Sequence, residues 1–344
     1  MTEPFLDAPE NPSRNALGAG LTLEKIEAAI AKSGYPLQTH VAHVLRDRGF
    51  GVSPEWSFID RDTNDLRSMD LRASLRLYER GDQTRARPAI DLVIECKQSE
   101  LPFVFFTGES LPWSARLPFI VGLKTDDFSV STDTGDGSWT TDLQDALGLQ
   151  SHSFSTTPPI AYTMSKCQRK GSEVILSGEE TYSGIVLPLV NALHYLKVAE
   201  APPSTAHYFD VHYAVALAVL DAPMLAFERG VATMSPWVRL LRHEAGQAKL
   251  GKNDRGQTLA VDVVHRDFLD TYISDHLLPA GRDFADKVLR HPEEVADCRG
   301  HIRGPENARA SDYEQHLGPK PTVPFLGRKG VRAPITGQPP KTVF

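Results

Sequence analysis

The feature that most constrains the fold of this chain is an apolar run near its middle. Every residue from Tyr213 to Leu220 is apolar, and valine, leucine and alanine predominate. A run of this length is typical of a central strand buried on both faces of a sheet, although its alanines would also suit a helix. The run therefore favours a fold in which helices cover a central sheet.

Three further strands are predicted earlier in the chain. Residues 51 to 58 form a short candidate strand, and from Met69 to Tyr78 apolar and polar residues alternate, the period of a half-buried strand. The stretch Ala89 to Lys97 is mostly apolar and predicts a strand buried on both faces. Because a turn at residues 81 to 87 separates the last two strands, we expect them to form a hairpin.

Helices are predicted before and after these strands. Apolar residues recur at helical spacing from Thr22, a plausible N-cap, to Gly49, with a break at residues 34 to 36, and again from Glu179 to Val198. Two more strands, 237 to 241 and 259 to 264, and a helix, 268 to 289, follow. The order helix, three strands, helix, strand is the αβββαβ order of a three-layer α/β fold.

Two short motifs on the predicted hairpin accompany this element order. Arg67-Ser68-Met69-Asp70 stands at the start of the second strand, and Ile94-Glu95-Cys96-Lys97 stands at the end of the third. Together they resemble the PD-(D/E)XK nuclease superfamily, whose site is an Asp followed by Glu-X-Lys. The resemblance covers about half of the chain and implies a restriction-endonuclease-like core with a mixed sheet. It also implies that Asp70, Glu95 and Lys97 are catalytic and that the substrate is DNA.

Strand geometry explains why these residue types suit phosphodiester hydrolysis. Side chains two residues apart on a strand share a face, so Glu95 and Lys97 point the same way, ~6.5 to 7 Å apart along the chain. A hairpin can bring Asp70 beside them, and two carboxylates are the hard oxygen ligands that Mg²⁺ prefers. We expect Asp70 and Glu95 to bind Mg²⁺, with Mn²⁺ as a substitute, and Lys97 to orient the attacking water or stabilise developing charge.

A purely structural role for these residues is the main alternative. Asp70 and Glu95 would then be solvated strand ends with Lys97 as their surface ion pair, but a Glu and a Lys on a buried strand need a purpose or a partner. Asp91 shares the face of Glu95 but lies ~13 Å away, too far to share one metal. The loop aspartates, which compete with Asp70 as the first ligand, are better explained as turn formers: Asp60, Asp62 and Asp65.

Two helix positions extend the comparison with the superfamily. Resolvase-like and Mrr-like members commonly carry Glu where this chain has Gln38. We include Gln38 in the candidate catalytic set, although a satisfied polar residue on the helix explains it equally well. Asn191 and Tyr195, one helical turn apart, weakly resemble the Gln-X-X-X-Tyr helix of the exonuclease branch, but core packing is the preferred explanation for Tyr195.

The remaining sequence divides around this predicted core. We assign residues 21–100 and 179–225 to the nuclease core, and residues 101–178, where no long periodic element is found, to an insertion or lid. Residues 226–299 should pack on the core as strands and a helix. Residues 1–20 are a loose arm, and residues 300–344 are a basic extended tail with seven Lys or Arg against three Asp or Glu.

Composition sets limits on partners and compartment. A net charge of −7 argues against a generally basic nucleic-acid coat, although local patches can still bind phosphates. Three widely spaced cysteines predict free thiols, and the histidines show no zinc-binding spacing. The longest apolar stretch is interrupted by polar residues, and the first fifteen residues lack signal-peptide features, so a cytoplasmic protein without membrane contact is expected.

The sequence thus predicts a Mg²⁺-dependent nuclease that acts on DNA in repair, restriction or phage defence. A catalytically silent member of the superfamily, which binds nucleic acid or scaffolds a complex, is the alternative. In a third interpretation the chain is an α/β enzyme of another chemistry, with Glu95 and Lys97 structural. Whether it forms a homo-oligomer or joins a partner protein of a defence or repair complex stays open.

Overall fold

A computed structural model describes residues 10–61, 63–79, 83–110, 115–132, 138–244, 257–302 and 317–318. The helices in these ranges are α1 Leu23–Ala31, α2 Tyr35–Asp47, α3 Leu143–Ala146, α4 Ser153–Thr156, α5 Glu179–Ala199, α6 Leu269–Thr271, α7 Leu278–Arg290 and α8 Pro292–Asp297. A π-helical segment, Tyr272–Leu277, joins α6 to α7.

Most strands of the described residues belong to one large mixed sheet. The strands are β1 Gly51–Ile59, β2 Leu66–Arg76, β3 Ala86–Gln98, β4 Phe103–Glu109, β5 Ala115–Arg116, β6 Phe119–Val121, β7 Phe128–Thr132, β8 Ser138–Thr141, β9 Ile160–Lys170, β10 Glu173–Ser177, β11 Phe209–Asp221, β12 Met224–Glu228, β13 Val231–Met234, β14 Trp237–Glu244, β15 Gln257–His265, β16 Arg299–Ile302 and β17 Leu317–Gly318.

The large sheet runs in the order β1-β2-β3-β11-β15-β14-β9-β4-β12-β13. Strands β1, β2 and β3 are consecutive and antiparallel, whereas β11 runs parallel to both β3 and β15. The pairing of β3 with β11 extends over their whole lengths, from Ala86 beside Phe209 to Gln98 beside Asp221. This long parallel ladder forms the centre of the sheet, and helix α5 lies between its two strands in the chain.

Helices cover both faces of the central strands. On one face, α2 and α7 pack against the sheet through buried residues that include Val41, Leu45 and Phe284. On the other face, α5 contributes residues that include Leu189 and Leu193. Successive residues of a strand point to opposite faces, so strands covered in this way are apolar almost throughout.

The α/β class predicted from the sequence is confirmed, and several element predictions agree with the structure. The apolar run lies in strand β11, and the predicted strands 69–78 and 89–97 correspond to the antiparallel pair β2 and β3, although β2 begins earlier and ends at Arg76. The Thr22 hydroxyl accepts a hydrogen bond from the Lys25 N–H and caps α1. All three cysteines are free and buried. No helix in the described ranges is long and apolar enough to cross a membrane.

The prediction that residues 101–178 contain no long element is wrong. Strand β9 spans 11 residues, and both β9 and β4 pair within the large sheet. The β4–β9 ladder shifts register on both sides of Thr107, and such irregularities break the alternation on which strand prediction depends. The division of the chain into a core and an insertion stays a prediction.

Residues at the C-terminal end of the described ranges form a second sheet. Strands β7 and β8 pair with β16 and β17 in the order β17-β16-β7-β8. The predicted basic tail therefore begins with ordered strand residues at 300–302. Apart from residues 317 and 318, the rest of that tail lies outside the described residues, as does the first part of the predicted N-terminal arm.

Candidate active site

Asp70 lies where the β2–β3 ladder ends. The last pair of that ladder joins Leu71 to Ile94. Beyond it, the Asp70 Oδ2 atom accepts a 2.6 Å hydrogen bond from the backbone N–H of Cys96. Cys96 stands between Glu95 and Lys97 in the chain, so this bond holds the Asp70 carboxylate beside the Glu-X-Lys motif.

Glu95 and Lys97 are in direct contact. The Lys97 amine donates a hydrogen bond to Glu95 Oε1, as their shared strand face predicts. Glu95 is only 8% exposed, whereas the Lys97 side chain is 40% exposed. The Lys97 amine is therefore accessible to a ligand, while the Glu95 carboxylate is largely shielded from bulk water.

A third carboxylate, Glu55, was missed by the sequence analysis. In the β1–β2 ladder the pairs Pro54–Leu71 and Trp56–Met69 flank a gap at Glu55 and Asp70. Glu55 has a φ of +49°, a backbone conformation that is unfavourable for a residue with a side chain and needs support from its surroundings. The one available signal was Pro54, since proline in a strand marks an edge or an irregularity.

Gln38 on helix α2 connects these strands. Its Nε2 atom donates one hydrogen bond to Glu55 Oε1 (2.9 Å) and another to the backbone carbonyl of Asp70 (2.7 Å). The side chain is almost fully buried. The structure therefore places Gln38 at the candidate site, where it fixes both the Asp70 backbone and the Glu55 carboxylate.

These groups border a cleft of about 500 Å³ at the end of the central strands. Helix α2 supplies one side, including the exposed Tyr35, and β1, β2 and β3 supply the other. Glu95 does not line the cleft, but its carboxylate is hydrogen-bonded to Lys97, which does. The lining residues are Lys32, Gly34, Tyr35, Gln38, Glu55, Asp70, Cys96, Lys97 and Gln98.

Burial disfavours the charged forms of the two predicted metal ligands, Asp70 and Glu95. Burial raises the pKa of the Asp70 carboxyl above its usual value. Burial, and then the charge of Asp70, raise the pKa of Glu95 in the same direction. Burial likewise raises the pKa of the Cys96 thiol, which excludes it as a ready thiolate nucleophile.

The donor set fits a hard divalent cation. Within the described ranges no three or more His, Cys, Asp and Glu side chains are grouped so as to hold a metal ion. Mg²⁺ does not need such a cage, because it keeps several waters and is usually bound by one or two carboxylates. A cation would also compensate the charges of Asp70 and Glu95 that burial leaves destabilised.

The competing aspartates are engaged elsewhere. Asp91 is fully buried and accepts two hydrogen bonds from Arg72, at 3.0 and 2.7 Å. Asp60, also buried, is bound by Arg67 and by the Asn191 amide. Asp65 is exposed, and Asp62 lies outside the described residues. Asp70 is therefore the aspartate that the fold brings to the Glu-X-Lys motif.

The helix positions compared with the exonuclease branch lie away from this cleft. Tyr195 packs against the rings of Trp56 and Phe58, at centroid distances of 5.7 and 5.9 Å. Asn191 is occupied by its bond to Asp60. Core packing, the preferred explanation from the sequence, accounts for Tyr195.

Comparison with known proteins adds no assignment. A scan against protein-family models, a search of curated proteins and a search of solved structures each find no match. The chemistry of the cleft is therefore argued from its own residues.

Proposed function

We propose that this protein is a metal-dependent nuclease that hydrolyses phosphodiester bonds in DNA. The observation that carries the proposal is the hydrogen bond from the Cys96 N–H to the Asp70 carboxylate, next to the Glu95–Lys97 pair. It brings the Asp70 carboxylate and the accessible Lys97 amine to one cleft, and the shielded Glu95 carboxylate is in contact with that amine. This is the combination that hydrolysis of a phosphodiester with a bound cation requires.

Each residue has a defined part in this mechanism. Asp70 and Glu95 would hold Mg²⁺ or Mn²⁺, which when bound lowers the pKa of a coordinated water and neutralises phosphate charge. Lys97 donates hydrogen bonds to the attacking water or to a phosphate oxygen as charge develops there. Gln38 positions the Asp70 backbone and Glu55 through its two amide hydrogens.

The arrangement of elements supports the same proposal. A helix, three antiparallel strands, a second helix and a strand parallel to the third follow one another as α2, β1, β2, β3, α5 and β11, if the additional strands are set aside. This order is what the resemblance to the PD-(D/E)XK superfamily implies, and the restriction-endonuclease-like core is part of the proposal. The same resemblance favours DNA, in repair, restriction or phage defence.

A cleavage assay tests the proposal. Labelled single-stranded, duplex and branched DNA are incubated with the protein in Mg²⁺, in Mn²⁺ and in EDTA. Cleavage should require the metal and should be abolished by Asp70→Asn, Glu95→Gln and Lys97→Ala, with the losses non-additive because the three act as a unit. Asp65→Asn, an exposed change nearby, should cleave like the unmodified protein.

The alternatives give different results. If the protein binds DNA without cleaving it in either metal, the silent-domain alternative is correct. If the three variants retain cleavage, the reaction takes place at another site.

A further inference from the structure

A second groove adjoins the candidate cleft along strand β3. Gln98 is the last cleft residue on β3, and the next residue, Ser99, is the first to line this groove. The two depressions therefore meet where strand β3 ends. The residues lining the groove are Ser99, Glu100, Leu101, Lys166, Cys167, Gln168 and Arg169.

Backbone hydrogen bonds fix the turn that connects the cleft residues of β3 to the groove. The turn between β3 and β4 is anchored by the Ser99 N–H, which donates to Asp221 O at 3.1 Å, and by Pro102 O, which accepts from Cys167 N–H at 2.8 Å. Phe103 then pairs with Lys166 on β9. From Lys97 to Phe103 the chain can span at most about 20 Å, so Lys166 at the start of the hairpin lies within reach of a strand that enters the cleft.

The far side of the groove is a basic hairpin, which we define as Lys166–Lys170 of β9 with β10. Lys166, Arg169 and Lys170 form no ion pair within the described ranges, and Arg169 and Lys170 are exposed. Two acidic residues are close by, Glu100 in the groove and Glu173 opposite Lys170 in the ladder. Three cations against two acids still leave local positive charge on a chain whose net charge is −7.

We infer that the cleft and the groove form one binding track for a nucleic-acid strand, and that the basic hairpin holds the phosphates beyond the scissile bond. The inference rests on the proposed function, because it takes the strand to enter at Lys97. Cations that are not neutralised by carboxylates can replace the counterions of phosphates, and their release favours binding. The hairpin therefore acts on affinity and on the minimum length of substrate, not on the chemical step.

The test replaces the two exposed cations in the variant Arg169→Gln/Lys170→Gln. Its matched control, Arg46→Gln/Arg76→Gln, changes two exposed arginines at the ends of α2 and β2 that are distant from Gln38 and Asp70. Binding of labelled single-stranded DNA is measured in EDTA over a range of salt concentrations. Loss of two phosphate contacts should reduce the slope of log K against log salt by about 1.4.

Length dependence supplies the second measurement. The unmodified protein should bind and cleave oligonucleotides more efficiently as their length increases over roughly 4 to 16 nucleotides, until they fill both depressions. The hairpin variant should bind and cleave long and short oligonucleotides with similar efficiency, whereas the control variant should still prefer the long ones. An unchanged slope together with an unchanged length dependence would overturn the track.

Failure of the track and failure of the nuclease proposal are distinguishable. Cleavage by the unmodified protein, with a hairpin variant that behaves like the control, rejects the track alone. A reduced slope in the hairpin variant without any cleavage supports the track as a binding surface and rejects the nuclease. Absence of both binding and cleavage rejects both.

Discussion

Two carboxyl groups at the candidate site are buried without a full counter-charge. The Asp70 and Glu95 carboxyl groups both have raised pKa values, and burial is the largest cause in each case. Lys97 contacts Glu95 but is itself partly exposed, so it offsets only part of the burial. The folded protein without metal therefore holds two carboxylates whose charged forms are disfavoured.

We expect Glu95→Gln to stabilise the metal-free protein at pH 7 to 8 while abolishing cleavage. A carboxyl whose folded pKa is raised contributes stability below its unfolded pKa and loses it as pH rises through the folded pKa. The gain in melting temperature should therefore disappear below about pH 4, where the unfolded carboxyl is also protonated. Thermal melts in EDTA from about pH 4 to pH 8 measure the difference in melting temperature, with the exposed Glu100→Gln as control. A less stable variant at pH 7.5 would show that the Lys97 pair outweighs burial.

Gln38→Glu should tighten metal binding and weaken the metal-free fold. The new carboxylate adds an anionic oxygen near the cleft, but it loses the two N–H donors that satisfy Glu55 and the Asp70 carbonyl. The part-buried Asp70 carbonyl left without a donor costs about 1–3 kcal/mol of unfolding free energy, whereas the exposed Glu55 carboxylate can bind water. Bound Mn²⁺ should restore part of the lost stability. Calorimetric titration with Mn²⁺ measures the metal affinity and stoichiometry, and urea unfolding with and without metal measures the free energy of unfolding. Unchanged affinity and stoichiometry would mean that residue 38 does not act on the metal.

The sequence identified part of this site, for physical reasons. Glu95 and Lys97 share a face by strand alternation, and the hairpin places Asp70 near them, so local rules suffice. Glu55 is different, because its positive φ and the gap in its ladder are not encoded by apolar periodicity. The position of Gln38 depends on how α2 packs across the strands, a contact that no local pattern specifies.

At the scale of elements, one buried ionic network joins the strands that carry the site. Arg72 on β2 binds Asp91 on β3 and Glu200 at the end of α5, and His212 on β11 lies 3.2 Å from Asp91. The Arg72 guanidinium also lies over the Trp56 ring, 5.4 Å from its centroid. The network fixes β2 against β3 two residues from Asp70.

Breaking this network from one side should be costly. Arg72→Ala leaves the fully buried Asp91 without its main counter-charge, and such changes cost about 3–5 kcal/mol of unfolding free energy. The paired replacement Arg72→Met/Asp91→Leu removes both charges and should cost less than the single change. Urea unfolding measures each change, and Arg48→Ala, which breaks the exposed pair with Asp270, should cost much less than Arg72→Ala. If Arg72→Ala costs no more than this control, the network is not structural.

Elements were predictable where their packing is regular. Strand β11 is buried on both faces and its apolar run predicts it directly, whereas β4 and β9 were missed because their ladder changes register. The break between α1 and α2 was predicted from glycine and proline. Sheet order was not predictable beyond the first hairpin, since it depends on contacts between distant segments.

At the scale of the whole molecule, charge is distributed unevenly. The chain is acidic overall, but residues 319 to 344 contain five Lys or Arg and no Asp or Glu. These residues lie outside the described ranges. Because β16 and β17 include residues 299–302 and 317–318, a deletion that spares the fold begins after Gly318.

Truncation after Gly318 should weaken DNA binding and flatten its salt dependence without changing the cleavage rate at saturating DNA. Each lost phosphate contact removes about 0.7 to 0.9 from the slope of log K against log salt. Anisotropy titrations and single-turnover cleavage separate the two effects. A truncated protein with the same salt dependence would indicate a segment that docks a protein instead.

The parallel pairing of β3 with β11 also determines how late during synthesis the centre of the large sheet can form. Glu95 lies beside Ala218, so the second edge of β3 remains open until that much later strand is made. At about 5–20 residues per second, a ribosome needs roughly 6 to 24 s to translate the intervening stretch of about 120 residues. Throughout that interval the nascent chain carries Asp70, Glu95 and Lys97 on an unfinished sheet. All residues that line the candidate cleft are therefore synthesised well before the strand that completes the sheet beside them.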